Sequence, residues 1–176
     1  LTSGAYNEGG FVWSRDASQI YFTTNRTLEP YYDEKPVTEI YSVPLAGGTP
    51  ALLTKIEMGV GGLVLSPDGS KFAFTASASQ KPVLSYTQPD LWVLDVAANA
   101  QPRNLTTAFD YDIGGGVGGD NAPPRAGGGG GPIWTADGKA IIDRYAKEGR
   151  ANLGMFDAAT GKMFDVTKGD QAVLSY

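Results

Sequence analysis

The sequence predicts an all-β chain of three four-stranded antiparallel units, and two recurrences carry that expectation. The first is a polar turn held between apolar segments: Trp13-Ser14-Arg15-Asp16-Ala17-Ser18-Gln19-Ile20-Tyr21-Phe22, Leu65-Ser66-Pro67-Asp68-Gly69-Ser70-Lys71-Phe72-Ala73-Phe74, and Trp134-Thr135-Ala136-Asp137-Gly138-Lys139-Ala140-Ile141-Ile142. The second follows each turn at a matching offset: Ile40-Tyr41-Ser42-Val43 closing at Leu53-Thr54, Leu91-Trp92-Val93-Leu94 closing at Leu105-Thr106, and Leu153-Gly154-Met155-Phe156 closing at Val166-Thr167. Asp-Gly between apolar strands marks a hairpin, because glycine readily takes the positive φ of a tight turn. A pattern repeating at 40 to 70 residues defines a repeat architecture. Four strands per repeat make each unit a propeller blade, so the fold class is a partial β-propeller of three four-stranded antiparallel blades with long loops on one face.

Taken in order, blade one covers about 9–54, with strands expected at 10–14, 19–24, 38–44 and 50–54. Blade two covers 61–106, with strands at 61–66, 71–77, 90–95 and 102–106. Blade three covers 131–167, with strands at 131–135, 139–145, 151–157 and 162–167. Residues 171–176 read as the start of a further blade, and Leu1-Thr2 as the close of a preceding one, which makes 1–176 a single arc cut from a longer array. Period-two alternation puts Ile20, Phe22, Phe72, Phe74 and Ile141 between neighbouring sheets. Trp13, Trp92 and Trp134 are expected in the core at the layers between blades.

Strands alternate in direction, so the short first-to-second and third-to-fourth turns share one end of the blades. The long insertions at 25–37, 78–89 and 107–131 share the other. Loops raised on a rigid scaffold are where binding concentrates. The first insertion carries Glu29, Tyr31, Tyr32, Asp33 and Glu34, residues suited to an amine or a basic partner, although a solvated, proline-stiffened loop is the favoured reading of them. The third runs from Asp110 and Asp112 through a glycine-rich tract to Asp120 and Arg125. Its Gly-x-Gly-x-x-Gly match lacks the following helix of a dinucleotide fingerprint, and its aspartates miss the spacing of a calcium-binding helix–loop–helix motif. It reads as a flexible loop, with a looser calcium site on Asp110, Asp112 and Asp120 left open and Arg125 as a candidate binding residue.

Composition narrows the function. The chain of 176 residues holds neither cysteine nor histidine, which removes thiolate chemistry, Ser-His-Asp and Cys-His centres and the usual zinc ligands. No Gly-x-Ser-x-Gly elbow occurs. The chain alone is therefore not expected to be a hydrolase, and no cofactor is expected. A formal charge of −5 gives no case for nucleic acid or an anionic membrane, and no apolar run approaches a membrane span.

The Trp-Ser-x-Asp-Gly-Lys-like openings and Leu-Thr closings resemble the TolB-type propeller repeat across nearly the whole chain. More narrowly, Asp90-Leu91-Trp92-Val93-Leu94-Asp95, the glycine-rich insertion and Gly149-Arg150-Ala151-Asn152-Leu153 resemble the propeller domain of bacterial prolyl oligopeptidase-family serine peptidases, nearest to the dipeptidyl-peptidase and acylaminoacyl-peptidase branch. That resemblance implies a non-catalytic segment that gates or orients peptide substrates for an α/β-hydrolase domain carried elsewhere in the parent. The alternative is a stand-alone TolB-like propeller working as a protein–protein interaction module. The Glu-Glu amine-binding motif of dipeptidyl peptidases has no recognisable counterpart, and Asp33-Glu34 takes no role from it. Expected partners are peptide substrates, through the parent's hydrolase domain, and the remaining blades. Self-association through open blade edges is a further expectation, while nucleic acid and membrane are not expected partners. The compartment stays open between periplasmic or secreted and cytoplasmic.

Overall fold

A computed structural model describes residues 1–26, 37–78, 84, 86–117 and 130–176. Among these there is no helix, and hence none long and apolar enough to cross a membrane. Blade one contains β1 (Glu8–Trp13), β2 (Gln19–Thr24), β3 (Thr38–Pro44) and β4 (Ala51–Met58), paired antiparallel in that order. Blade two contains β5 (Gly61–Leu65), β6 (Lys71–Ala76), β7 (Asp90–Asp95) and β8 (Arg103–Asn104) in the same arrangement. Blade three adds β9 (Asp112–Ile113), β10 (Ile133–Trp134), β11 (Ala140–Lys147), β12 (Arg150–Asp157) and β13 (Met163–Asp165), with β9 and β10 both pairing to β11.

The recurring turn has one construction throughout. In blade two the Ser66 hydroxyl donates to the Asp68 carboxylate at 2.6 Å, Ser70 N–H donates to the same carboxylate at 3.0 Å, and Lys71 N–H donates to the Ser66 oxygen at 2.9 Å. Ser14, Asp16 and Ser18 repeat this in blade one, as do Thr135, Asp137 and Lys139 in blade three. These donors hold Asp16 and Asp68 down at a pKa of about 2 and lower Asp137 as well. The residue after each aspartate needs positive φ: Gly69 has φ +77° and Gly138 +68°, but in blade one Ala17 holds φ 57°. Alanine there bears the Cβ–carbonyl crowding of the left-handed region, partly offset by glycine's greater chain entropy. Ala17→Gly is therefore expected to raise unfolding stability by about 0.5–1 kcal/mol, read as a higher urea midpoint; a lower midpoint would show that the turn is not strained.

Two core layers lie between the blades. Tyr21, Ile40, Ile56 and Met58 of blade one meet Leu63, Phe72, Phe74 and Leu94 of blade two and its neighbouring segment, with the Tyr21 and Phe72 rings edge to face at 5.0 Å. The opposite side of blade two, through Ala73, Leu91, Val93 and Leu105, meets Ile113, Ile141, Tyr145 and Phe156 of blade three. Blade two is thus covered on both faces, and each large side chain fully buried there is worth about 1.5–3 kcal/mol. Phe72, Phe74 and Ile141 are 0% exposed between the blades, as alternation requires; Phe22 is also 0% exposed but lies on the other face of blade one, against Phe11 and Tyr41 of its own sheet, and Ile20 is half-buried.

Trp13 departs from its expected place in the core, being 53% exposed. Its counterparts Leu65 and Trp134 rest on the core layers of the blade before their own. No described blade precedes blade one, so the same register leaves Trp13 bare, with Phe11 beside it at 63% exposure.

Candidate functional site

Aligning the blades by their hairpin registers exposes an inward position where the third unit breaks the pattern of the first two. The pairs Trp13–Ile20, Leu65–Phe72 and Trp134–Ile141 are equivalent. Two residues further on, the inward position holds Phe22 in blade one, Phe74 in blade two and Asp143 in blade three. All three are 0% exposed. A carboxylate occupies a slot that the fold otherwise fills with an aromatic ring.

The same alignment explains the glycine-rich insertion. The inner strands of blades one and two each carry a one-residue bulge, at Gly10-Phe11 between Gly9 and Val12 and at Gly62-Leu63 between Gly61 and Val64. In blade three, Ile113 pairs with Tyr145, Gly114 N–H donates to the Arg144 carbonyl at 2.6 Å, and the strand resumes only where Ile133 pairs with Ile142. Bulges are concentrated at sheet edges and beside functional sites, where an extra residue disturbs pairing least. The inner strand of blade three is therefore not the continuous 131–135 segment read from the sequence. It is β9 and β10 together, and the insertion opens from its bulge rather than from the connection between blades. It leaves and returns at the inner edge, the edge that borders a propeller's axis.

Asp143 sits at the foot of that insertion. Its Oδ1 accepts from the Tyr176 hydroxyl at 2.6 Å and from Arg144 N–H at 2.7 Å. Among the described residues no donor reaches its buried Oδ2. A cavity of about 230 Å3 lies against it, walled by Gly62 and Thr75 of blade two and by Gly114, Gly130, Gly131 and Pro132. Backbone approach is close here: a Cβ on Gly131 would stand 3.3 Å from the Gly62 Cα. Burial is the main cause that pushes the Asp143 carboxyl up to about 6, against the lowering effect of the Tyr176 and Arg144 bonds. Burial and the Asp143 bond likewise push the Tyr176 phenol well above its ordinary value. The Arg144 guanidinium turns away and donates to the carbonyls of Val173, Leu174 and Gly114 at 3.0–3.2 Å. Those bonds tie 171–176 to blade three, where Val173 N–H donates to the Ala151 carbonyl as Ile113 N–H does to Pro89.

Glu29, Tyr31, Tyr32, Asp33, Glu34, Asp120 and Arg125 lie outside the described residues. Arg26, at the described base of the first insertion, pairs with Glu8 at 2.8 Å and stacks over Tyr6 at 4.1 Å. Asp110 is exposed, and Asp112 accepts the Tyr86 hydroxyl at 2.6–2.7 Å. Among the described residues no three of His, Cys, Asp and Glu gather where they could hold a metal ion. Sequence reading missed Asp143, although a position-by-position comparison of the repeats carries the signal, with Phe, Phe and Asp at one inward register.

Blades of this build, side by side around a common edge, make the chain a partial β-propeller. No family model and no curated protein matches the sequence. Solved structures do. The chain is similar to TolB from Acinetobacter baumannii at 22% identity with a TM-score of 0.59, over 94% of this chain and 34% of that one. It is similar to puromycin hydrolase at 18% identity with a TM-score of 0.66, over 94% of its own length and 24% of the hydrolase. The β-propeller domain of the Trilobed protease from Pyrococcus furiosus matches at 16% identity with a TM-score of 0.56, over 91% of this chain and 41% of that one. The chain spans well under half of each. At such identities the likeness establishes the fold, shared by TolB-type propellers and the propeller parts of these peptidases.

Proposed function

We propose that the chain is the non-catalytic propeller segment of a serine peptidase, gating or orienting peptides for an α/β-hydrolase domain supplied by the rest of the parent. The observation that carries this reading is the insertion that opens from the inner-strand bulge of blade three, at the edge bordering the axis. Its described ends, at 113–117 and 130–134, lie on the edge that borders any central passage, where peptides on their way to a hydrolase domain would pass. The likeness to puromycin hydrolase and to the Trilobed protease propeller supports it, as does a chain with no histidine or cysteine from which to build a nucleophilic centre of its own. Segment 171–176, crossing blade three as 112–113 crosses blade two, leads in this reading into a fourth blade, and the bare face around Phe11 and Trp13 receives a preceding one.

The test removes residues 118–129 from the full-length protein. The shortened enzyme is expected to gain in kcat/KM on long peptides relative to dipeptide anilides, with little change on the short ones. An unchanged length profile would overturn the gating role. A stand-alone TolB-like interaction module is the competing reading, favoured by the match to TolB itself. A parent reading frame that stops after further blades, with no downstream Gly-x-Ser-x-Gly, would decide for it.

A further inference from the structure

We propose that the cavity beside Asp143 is a binding site for a small monocation, either a free alkali ion or the ammonium head of a larger molecule. Asp143 is 0% exposed, and among the described residues its Oδ2 has no hydrogen-bond donor. A buried carboxylate oxygen left without a partner costs the full desolvation of that group, so an occupant that supplies positive charge is stabilised there. Among the described residues the cavity walls offer no cationic side chain: they are glycine, proline and Thr75. The Arg144 guanidinium donates to three carbonyls, keeps a buried Nε without a partner among the described residues, and acts on Asp143 through its charge with no side-chain hydrogen bond to it.

The donor set selects the charge and type of the occupant. One carboxylate balances one positive charge. Calcium takes six to eight oxygens and usually several carboxylates, and among the described residues no second acidic residue lines the cavity. Zinc and its neighbours favour imidazole or thiolate, and the chain has neither. What remains beside Asp143 is oxygen: the Tyr176 hydroxyl, which contacts the Gly130 and Gly131 carbonyls at 3.2–3.3 Å. A volume of about 230 Å3 exceeds the ~30 Å3 share of a single water several-fold. An ion with part of its hydration shell fits, and so does a methylammonium-sized group. The substitution that creates the site is confined to blade three, since Phe22 and Phe74 fill the equivalent slots in the other two.

The experiment compares thermal unfolding of the 176-residue chain in potassium, sodium, methylammonium and tetramethylammonium chloride at equal ionic strength. A site with ligand at ten times its dissociation constant is expected to raise Tm by about 3–6 °C, saturably, relative to tetramethylammonium, whose methyl groups keep its charge away from the carboxylate and which has no N–H to donate. A response to potassium or sodium alone identifies a free ion, and a response to methylammonium identifies an ammonium head group. Asp143→Asn, which keeps the shape and the Oδ1 acceptor, is expected to abolish the response. Identical Tm values in all four salts overturn the site, and that comparison needs no variant. A response that survives in Asp143→Asn overturns it as well, by placing the ion elsewhere.

Discussion

Gly161→Ala is expected to cost about 3–5 kcal/mol, among the largest effects of any single methyl added to the chain. Gly161 closes the turn between β12 and β13, which docks on the outer strand of blade two. A Cβ there would stand 2.0 Å from the Leu105 carbonyl oxygen and 3.0 Å from its carbon. Both atoms are backbone, so no side chain can swing aside. The residue also holds φ +73°, and alanine meets both penalties at once. The corresponding turn of blade two shows what the contact looks like with more room. There Asn99, at φ 58°, carries a side chain and donates its N–H to the Leu53 carbonyl at 3.1 Å. Blade three has closed that gap and clasps it further, with Arg103 donating to the carbonyls of Ala158 and Ala159 at 2.6 and 3.1 Å. Gly149→Ala is the control: φ is +75°, yet nothing lies within 4 Å of the added methyl. It isolates the backbone penalty, so its loss should be no more than about 1–2 kcal/mol. Urea unfolding of both variants decides the matter. Equal losses would mean that the contact between blades two and three is not tight.

What the sequence made legible was the local chemistry of the blade. The hairpins around Asp16, Asp68 and Asp137 are short-range devices whose donors and acceptors sit within five residues, so their pattern survives in the order of residues. The Leu-Thr closings are legible for a related reason. Thr106 accepts from Leu91 N–H and donates to Asp90, and Thr167 receives Leu153 N–H and donates to Asn152. That latch demands a hydroxyl at one place in blades two and three, while Thr54 of blade one donates instead to the Ala100 carbonyl of the next blade. Contacts between units leave no such mark. Trp13 occupies the same place in its turn as Trp134 and differs in having no described blade against it. The split inner strand was invisible because β9 is only two residues long and finds its partner, Tyr145–Ala146, across an insertion. Asp143 was passed over although the alternation that turns Ile141 inward puts it on the same face: the signal was there, but a single carboxylate next to a long insertion draws no notice until the register sets it opposite Phe22 and Phe74.

The pH dependence of stability is expected to turn on that residue. The Asp143 carboxyl is raised from 3.8 to about 6 in the folded chain, so folding favours its protonated form. Its contribution is fully present below about pH 4, declines as pH rises through 6, and is gone above about 7. With each pKa unit worth about 1.4 kcal/mol, the loss amounts to roughly 3 kcal/mol. The groups facing it are the Tyr176 phenol, which stays protonated throughout, the Arg144 backbone N–H, and the positive charge of the Arg144 guanidinium, which offsets part of the effect of burial. Asp16 and Asp68, held at about 2, act in the opposite sense and at lower pH: they stabilise the fold above 4 and lose that contribution as pH falls toward 2. Glu39, raised by burial at the start of the third strand of blade one, runs parallel to Asp143 and is separated from it by mutation. Asp143→Asn removes the titrating proton and keeps the acceptor for Tyr176. In tetramethylammonium buffer, where no small cation competes, the variant is expected to match the wild type at pH 4 and to exceed it by roughly 3 kcal/mol at pH 8. Urea midpoints of the two proteins across that range check it. Parallel curves would mean that the Asp143 carboxylate is solvated when it ionises, and that the slot filled by phenylalanine in the other two blades is open to water in the third.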